Sequence, residues 1–255
     1  MYPPYSETSE RHCRDETVGG ERQLRIACIG DSLTRGVPGV SFLDMLAMRF
    51  PMHELLNRGR SGETVISLYR RLAQHGVPND THAAILWVGV NDVLAEVSHS
   101  HFLLKRWMRQ PPARSEAEFR DHYLRILELL LEQTMHVLAV APFLIGEDLS
   151  NPWNRRLADL GQVISATASS FARVSHLDLR EEISSLLPAK GSSSYVPTGV
   201  LGIARDVILL RSPGRVDEMA ARRGLRLTLD GVHLNSRGAG IAAEAFSDVI
   251  ERFSG

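Results

Sequence analysis

Short apolar runs alternate with longer amphipathic stretches along this chain. Leu24–Ile29, Met52–Leu56, Ala83–Val88, His136–Ala141 and Val174–Asp178 read as strands. Such runs, apolar on both faces, suit strands covered by helices on both sides of a parallel sheet. Gly30, Gly89 and Pro142 stop three of them. Between the strands, apolar residues recur at helical spacing. Ser41–Phe50, Thr64–His75, Ser115–Thr134, Trp153–Phe171 and Ala239–Phe253 are the predicted helices. The clearest opens on Ser115-Glu-Ala-Glu118, a capping-box pattern, and continues with Phe119, Tyr123, Ile126, Leu127 and Leu130 on one face. Strands alternating with helices predict an α/β protein, a three-layer α/β/α sandwich with right-handed crossovers.

Two segments break the rhythm. Glu96–Ala113 joins the third strand to its helix and carries His99, His101, Phe102, Trp107 and Pro111-Pro112. The second, from about Pro188 to Arg226, holds SSSYVPTG, the apolar run Val207–Leu210, and a short helix expected at Val216–Arg223. Connections this long are functional or carry structure of their own. The stretch 190–225 is a candidate insertion or cap over a site, or else a peripheral decoration or a contact between copies. Residues 1–22 read as a flexible leader, leaving 23–255 as one domain.

Composition narrows the classes. The chain has 255 residues, 29 basic against 30 acidic, and 44% hydrophobic positions. A chain of this length buries enough surface to fold without a metal or a disulfide framework. Near-zero net charge speaks against a general nucleic-acid surface, and the arginines are spread along the whole sequence. Lys105 and Lys190 are the only lysines. Cys13 and Cys28 are expected as free thiols. No run reaches the length of a membrane span, and the first 22 residues lack the apolar core of a secretory signal, so the expectation is cytoplasmic.

Ligands of open α/β sheets bind beyond the carboxyl ends of the strands. Four polar clusters stand at such positions or before the last helix: Gly30-Asp-Ser-Leu33, Asn57–Glu63, Gly89-Val-Asn-Asp92 and Asp230-Gly-Val-His233. Each suits one role in acyl transfer. Ser32, at a strand-to-helix turn, is a candidate nucleophile; with Thr34 two residues on, the turn is not a G-x-S-x-G elbow. A serine needs a base to take its proton, and His233 is the candidate. Asp230, three residues earlier, can orient the imidazole and stabilise its charged form. The amides of Ser32 and Gly62 and the side chain of Asn91 can stabilise a developing oxyanion.

In order and wording these blocks resemble those of SGNH (GDSL) hydrolases. Gly30-Asp31-Ser32-Leu33 is similar to the nucleophile block, Asn57–Thr64 to the glycine block, Gly89-Val-Asn91-Asp92 to the G-x-N-D block, and Asp230-x-x-His233 with Leu-Asn-x-x-Gly238 to the last. Leu234 stands where many relatives have proline. The resemblance covers roughly residues 23–190 and 226–254. It implies a flavodoxin-like sandwich with a five-stranded parallel sheet and a serine esterase or acylhydrolase that needs no metal or other cofactor. Ser32, Asp230 and His233 are then the catalytic triad, and Ser32, Gly62 and Asn91 the oxyanion hole. Asp31 and Asp92 support the site. Gly59 also lies in the glycine block, but Gly62 sits in the Ser-Gly-Glu-Thr wording usual for the family.

Other features carry less. His99-x-His101 lacks a third metal ligand at convincing spacing and reads as site-lining or solvated. Asn79-Asp-Thr81 reads as a turn. Arg58 and Arg60 are solvated, or else favour an anionic substrate. The expected partner is a small ester of short acyl chain, with no nucleic acid. Sugar deacetylation, thioester or lysophospholipid hydrolysis, acyl transfer to an alcohol and a non-catalytic acyl-binding protein are the alternatives.

Overall fold

The computed structural model describes residues 17–18, 21–187 and 212–254. Most of the expected leader, Cys13, the Val207–Leu210 run and the larger part of 190–225 lie outside the described residues. Among those described, five parallel strands form one sheet: β1 Arg25–Gly30, β2 Glu54–Gly59, β3 Ala83–Trp87, β4 His136–Val140 and β5 Val174–Leu177. Their order is β2-β1-β3-β4-β5, the flavodoxin-like arrangement expected from the blocks. A two-residue antiparallel ladder, Thr17–Val18 with Glu21–Arg22, precedes it.

The helices are α1 Ser32–Arg35, α2 Phe42–Arg49, α3 Val65–His75, α4 Val90–Val97, α5 His99–Trp107, α6 Glu116–Leu131, α7 Pro152–Ala168, α8 Arg180–Ser184, α9 Pro213–Arg222 and α10 Ser236–Ser254. α2 packs on α10, while α3, α6 and α7 pack side by side. The sheet is thereby covered on both faces, and β3 is buried throughout. Trp87 at its end sits edge-on to Phe42 of α2 and Phe246 of α10, with ring centroids 5.6 and 5.5 Å away. Its indole N–H donates to the Ala141 carbonyl at 3.0 Å, so the large ring is buried without an orphaned donor.

The second strand runs further than Met52–Leu56. Its ladder with β1 pairs Arg25 with Glu54 and Gly30 with Gly59. Asn57 and Arg58 belong to it because an edge strand is only half covered and tolerates polar side chains. In α6 the five apolar residues read from the sequence are all buried. Its capping box is only half formed. Ser115 accepts the Glu118 amide at 3.2 Å, but Glu118 reaches back to the amide of Arg114, not to that of Ser115. The short helix expected at Val216–Arg223 is α9, starting three residues earlier behind Pro213. Most of Glu96–Ala113 is helical, as α4 ends and α5 follows. No described helix is long and apolar enough to cross a membrane.

Candidate active site

β1 and β3 are neighbours at the switch point of the sheet, and the site is built where both end. After β1, Asp31 caps α1, its carboxylate accepting the Leu33 amide at 2.9 Å. Ser32 is thus the first residue of a short helix, with its amide free of any acceptor among the described residues. After β3, Gly89 turns the chain with φ +123° and brings Asn91 across to Asp31. The Asn91 amide donates to the second Asp31 oxygen at 3.0 Å. Burial is the main force on Asp31 and lifts its pKa to about 6, against the pull of the Leu33 amide and of Lys105.

The 57–64 loop supplies the glycine. Gly59 donates its amide to the Asn57 side chain at 3.0 Å. A Cβ there would come within 2.3 Å of the Arg35 nitrogen, so this glycine lets α1 rest on β2. Gly62 differs. Its φ is +80°, its amide has no acceptor among the described residues, and a Cβ would meet Gln110 Oε1 at 2.7 Å and Lys105 Nζ at 3.0 Å. Asp92 clamps this loop from below, accepting the amides of Val65 at 3.1 Å and Ala113 at 2.9 Å. It ties the start of α4 to the start of α3 and to the approach to α6. Burial raises its pKa to about 7 despite both bonds. Arg58 and Arg60 are exposed.

The last block arrives on a loop before α10. One Asp230 oxygen accepts the amides of Val232 and His233 at 3.0 and 2.9 Å, and the other lies 2.8 Å from Nδ1 of His233. Nε2 of His233 lies 2.9 Å from Oγ of Ser32. Burial disfavours the imidazolium, but the Asp230 carboxylate more than offsets it, and the His233 pKa is raised on balance. Asp230 is buried too, yet the His233 charge and its donated bonds hold its pKa below the ordinary value. Ser32, Asn91 and His233 are each less than a tenth exposed.

Three residues in this network were not singled out from the sequence as site residues. Lys105 of α5 is buried, and its ammonium donates to the Gly62 carbonyl and to Oδ1 of Asn91, both at 2.6 Å. Burial lowers its pKa to about 8, opposed by Asp31 and Asp92. Gln110 donates to the Ser61 carbonyl at 3.2 Å. Glu147, after β4, accepts the amides of Arg226, Leu227 and Thr228 and the Thr228 hydroxyl at 2.7–2.8 Å. One signal for Lys105 was present: in a chain whose other basic residues but one are arginine, a lysine marks a place for a compact point charge.

His99 and His101 part company. His99 is exposed, whereas His101 is buried beside Lys105, both ring nitrogens without a partner among the described residues. Burial lowers its pKa, with Lys105 adding to the effect. Among the described residues, no group of three or more His, Cys, Asp or Glu could hold a metal ion. Cys28 is a free, buried thiol.

The family model described as GDSL-like Lipase/Acylhydrolase matches residues 28–241. No curated protein matches the chain. Several solved structures share its fold. An acetyl xylan esterase is 19% identical, covering 89% of this chain and 100% of that one, with TM-score 0.61. A catalytic mutant of an acetylxylan esterase from Geobacillus stearothermophilus is 16% identical over 89% and 94% of the two chains, TM-score 0.61. A lipolytic protein of the G-D-S-L family from Veillonella parvula is 16% identical over 90% and 99%, TM-score 0.59. At these identities the likeness is one of fold.

Proposed function

The chain belongs to the GDSL-like lipase/acylhydrolase family, and on that premise we propose that it cleaves short-acyl carboxylic esters through an acyl-enzyme on Ser32. One observation carries the reading: the Ser32 hydroxyl, the His233 ring and the Asp230 carboxylate form a relay with links of 2.9 and 2.8 Å. His233 Nε2 takes the hydroxyl proton as Oγ attacks the ester carbonyl carbon. Asp230, held by two backbone amides, fixes the ring with Nδ1 as donor and stabilises the imidazolium.

The carbonyl oxygen gains negative charge as the tetrahedral intermediate forms. The Ser32 and Gly62 amides and the second Nδ2 hydrogen of Asn91 are the donors for it, because its first is held by Asp31. Collapse breaks the bond to the alcohol, which leaves with the proton from His233. Water then attacks the acyl-enzyme with His233 again as base, freeing the acid and the serine. The shielding of Ser32, Asn91 and His233 supports a small acyl group.

The test is hydrolysis of p-nitrophenyl acetate by wild type and Ser32→Ala, with labelling of Ser32 by a fluorophosphonate. Loss of turnover and of labelling in a folded variant is expected; undiminished turnover refutes the reading. Acetylated xylo-oligosaccharides belong in the substrate profile, since two of the structural neighbours are acetylxylan esterases.

A further inference from the structure

We propose that Lys105 is a positioning residue that sets the oxyanion hole, working with Gln110 from the same segment. The inference rests on the acyl-enzyme reading above. An asparagine amide has an acceptor end and a donor end, and nothing in its own chemistry decides which way it faces. Lys105 decides it. An ammonium can only donate, so the oxygen of Asn91 must face Nζ, 2.6 Å away. Nδ2 is thereby turned to Asp31 and to the space above Ser32.

The same ammonium holds the Gly62 carbonyl at 2.6 Å. Gln110 holds the peptide on the other side of Gly62. Its Nε2 donates to the Ser61 carbonyl at 3.2 Å. In a planar trans peptide the Ser61 C=O and the Gly62 N–H point in opposite directions. Fixing one therefore aims the other. Two donors from different elements, Asn91 and Gly62, are thus referenced to the buried side chains of Lys105 and Gln110. Preorganisation of this kind is what makes such donors effective, because they need not reorient as charge develops.

The segment is itself anchored. The Thr64 hydroxyl donates to the Pro111 carbonyl at 2.7 Å, and Asp92 accepts the Ala113 amide at 2.9 Å. Lysine suits the position better than arginine. A single ammonium nitrogen reaches both the Gly62 carbonyl and the Asn91 oxygen at 2.6 Å, whereas the donors of arginine are set in a rigid fork.

The test compares wild type, Lys105→Met, Lys105→Gln, Asn91→Ala and the Asn91→Ala/Lys105→Met double variant on p-nitrophenyl acetate, with folding checked by near-UV circular dichroism. Lys105→Met is expected to lower kcat by about 10²-fold, the loss typical of one oxyanion donor, with KM little changed. Because Lys105 acts through Asn91 and also holds the Gly62 carbonyl, the double variant is expected to be slower than Asn91→Ala alone, but by much less than the factor lost in Lys105→Met by itself. Lys105→Gln keeps a donor for the Asn91 oxygen and loses less. A purely structural lysine would instead give losses that multiply.

Unchanged kcat in Lys105→Met, or multiplied losses in the double variant, overturns the proposal. Should Lys105→Met fail to fold, Lys105→Ala alone and combined with Asn91→Ala makes the same comparison, and unchanged kcat or multiplied losses there overturns the proposal equally. Turnover surviving in Ser32→Ala would overturn the underlying acyl-enzyme reading. An inactive Ser32→Ala beside a fully active Lys105→Met would overturn the role of Lys105 alone.

Discussion

Ser32 and His233 stand 201 positions apart in the chain, yet Oγ of one lies 2.9 Å from Nε2 of the other. β1 delivers the serine and a loop tied to the β4–α7 connection delivers the histidine. The Gly146 amide donates to the Gly231 carbonyl at 2.7 Å, inside the Asp230–His233 turn. The contact is therefore made by the fold as a whole.

Asp230 is expected to matter through the ring's tautomer and not through the fold. Asp230→Asn presents Nδ2 or Oδ1 to His233 and no longer favours the proton on Nδ1. A loss in kcat of about 10⁴-fold is expected, the scale seen when a triad carboxylate is made neutral. Steady-state kinetics with a p-nitrophenyl ester measures it. A loss under tenfold would mean that the imidazole finds its working tautomer without help.

The pH profile follows from the same pair. His233 must be neutral to take a proton, so kcat/KM falls as pH drops through its pKa. That value is raised above the ordinary 6.5 by Asp230, with a smaller contribution from Asp31 and an opposing one from Lys105. The acid limb is accordingly expected above pH 6.5, and in Asp230→Asn it moves to lower pH. Asp31, with a pKa near 6, titrates just below and adds a second inflection. Profiles between pH 5 and 9 decide this; an acid limb that stays put in Asp230→Asn contradicts the assignment to His233.

Much of this was legible because β1 and β3 are apolar on both faces and each is followed by its polar block. α5 was not, because it is inside out. His101 and Lys105, one turn apart, face the interior, while Phe102, Leu103 and Trp107 are 42, 50 and 82% exposed. A reading that sends apolar residues inward cannot find such a helix or the cation it carries. Gly62 could be preferred to Gly59 in the sequence only by the wording of its block, not by physics. Only the backbone shows that the Gly59 amide is bonded to Asn57 while that of Gly62 is not. Glu147 was missed because its partners are backbone amides 79–81 positions away, which leave no pattern in sequence.

Glu147 is expected to be the main brace of the catalytic loop. Its side chain is buried and satisfies three successive amides and one hydroxyl. Glu147→Ala leaves those donors buried without an acceptor, each worth about 1–3 kcal/mol before relaxation. Urea unfolding is expected to show a loss of about 3 kcal/mol or more, and kcat to fall with it as His233 loses its fixed approach to Ser32. A stability change below about 1 kcal/mol would show that water or a shifted loop replaces the carboxylate.

Acyl-chain preference is expected to depend on a groove beside α1. About 600 Å³ in volume, it is lined by Val37, Pro38, Val40, Met45 and Met48 and edged by Ser212-Pro213. Arg35, Asp44 and Asn57 add polar groups to the lining, and the Val40 amide bonds the Leu234 carbonyl at 2.9 Å, one residue from His233. The groove also lies where the chain returns from the 190–211 stretch. α9 must be left intact in any trimming, because Val216 and Ala220 are buried and Asp217 accepts the Ser236 amide at 2.9 Å. Filling the groove with Met45→Trp is therefore the cleaner probe. Turnover of butyryl and hexanoyl esters is expected to fall more than that of acetyl esters. The expected discrimination is about 10-fold or more, since one or two methylenes are worth about 1–3 kcal/mol. An equal effect on all chain lengths would place the acyl group elsewhere and leave this groove to the alcohol.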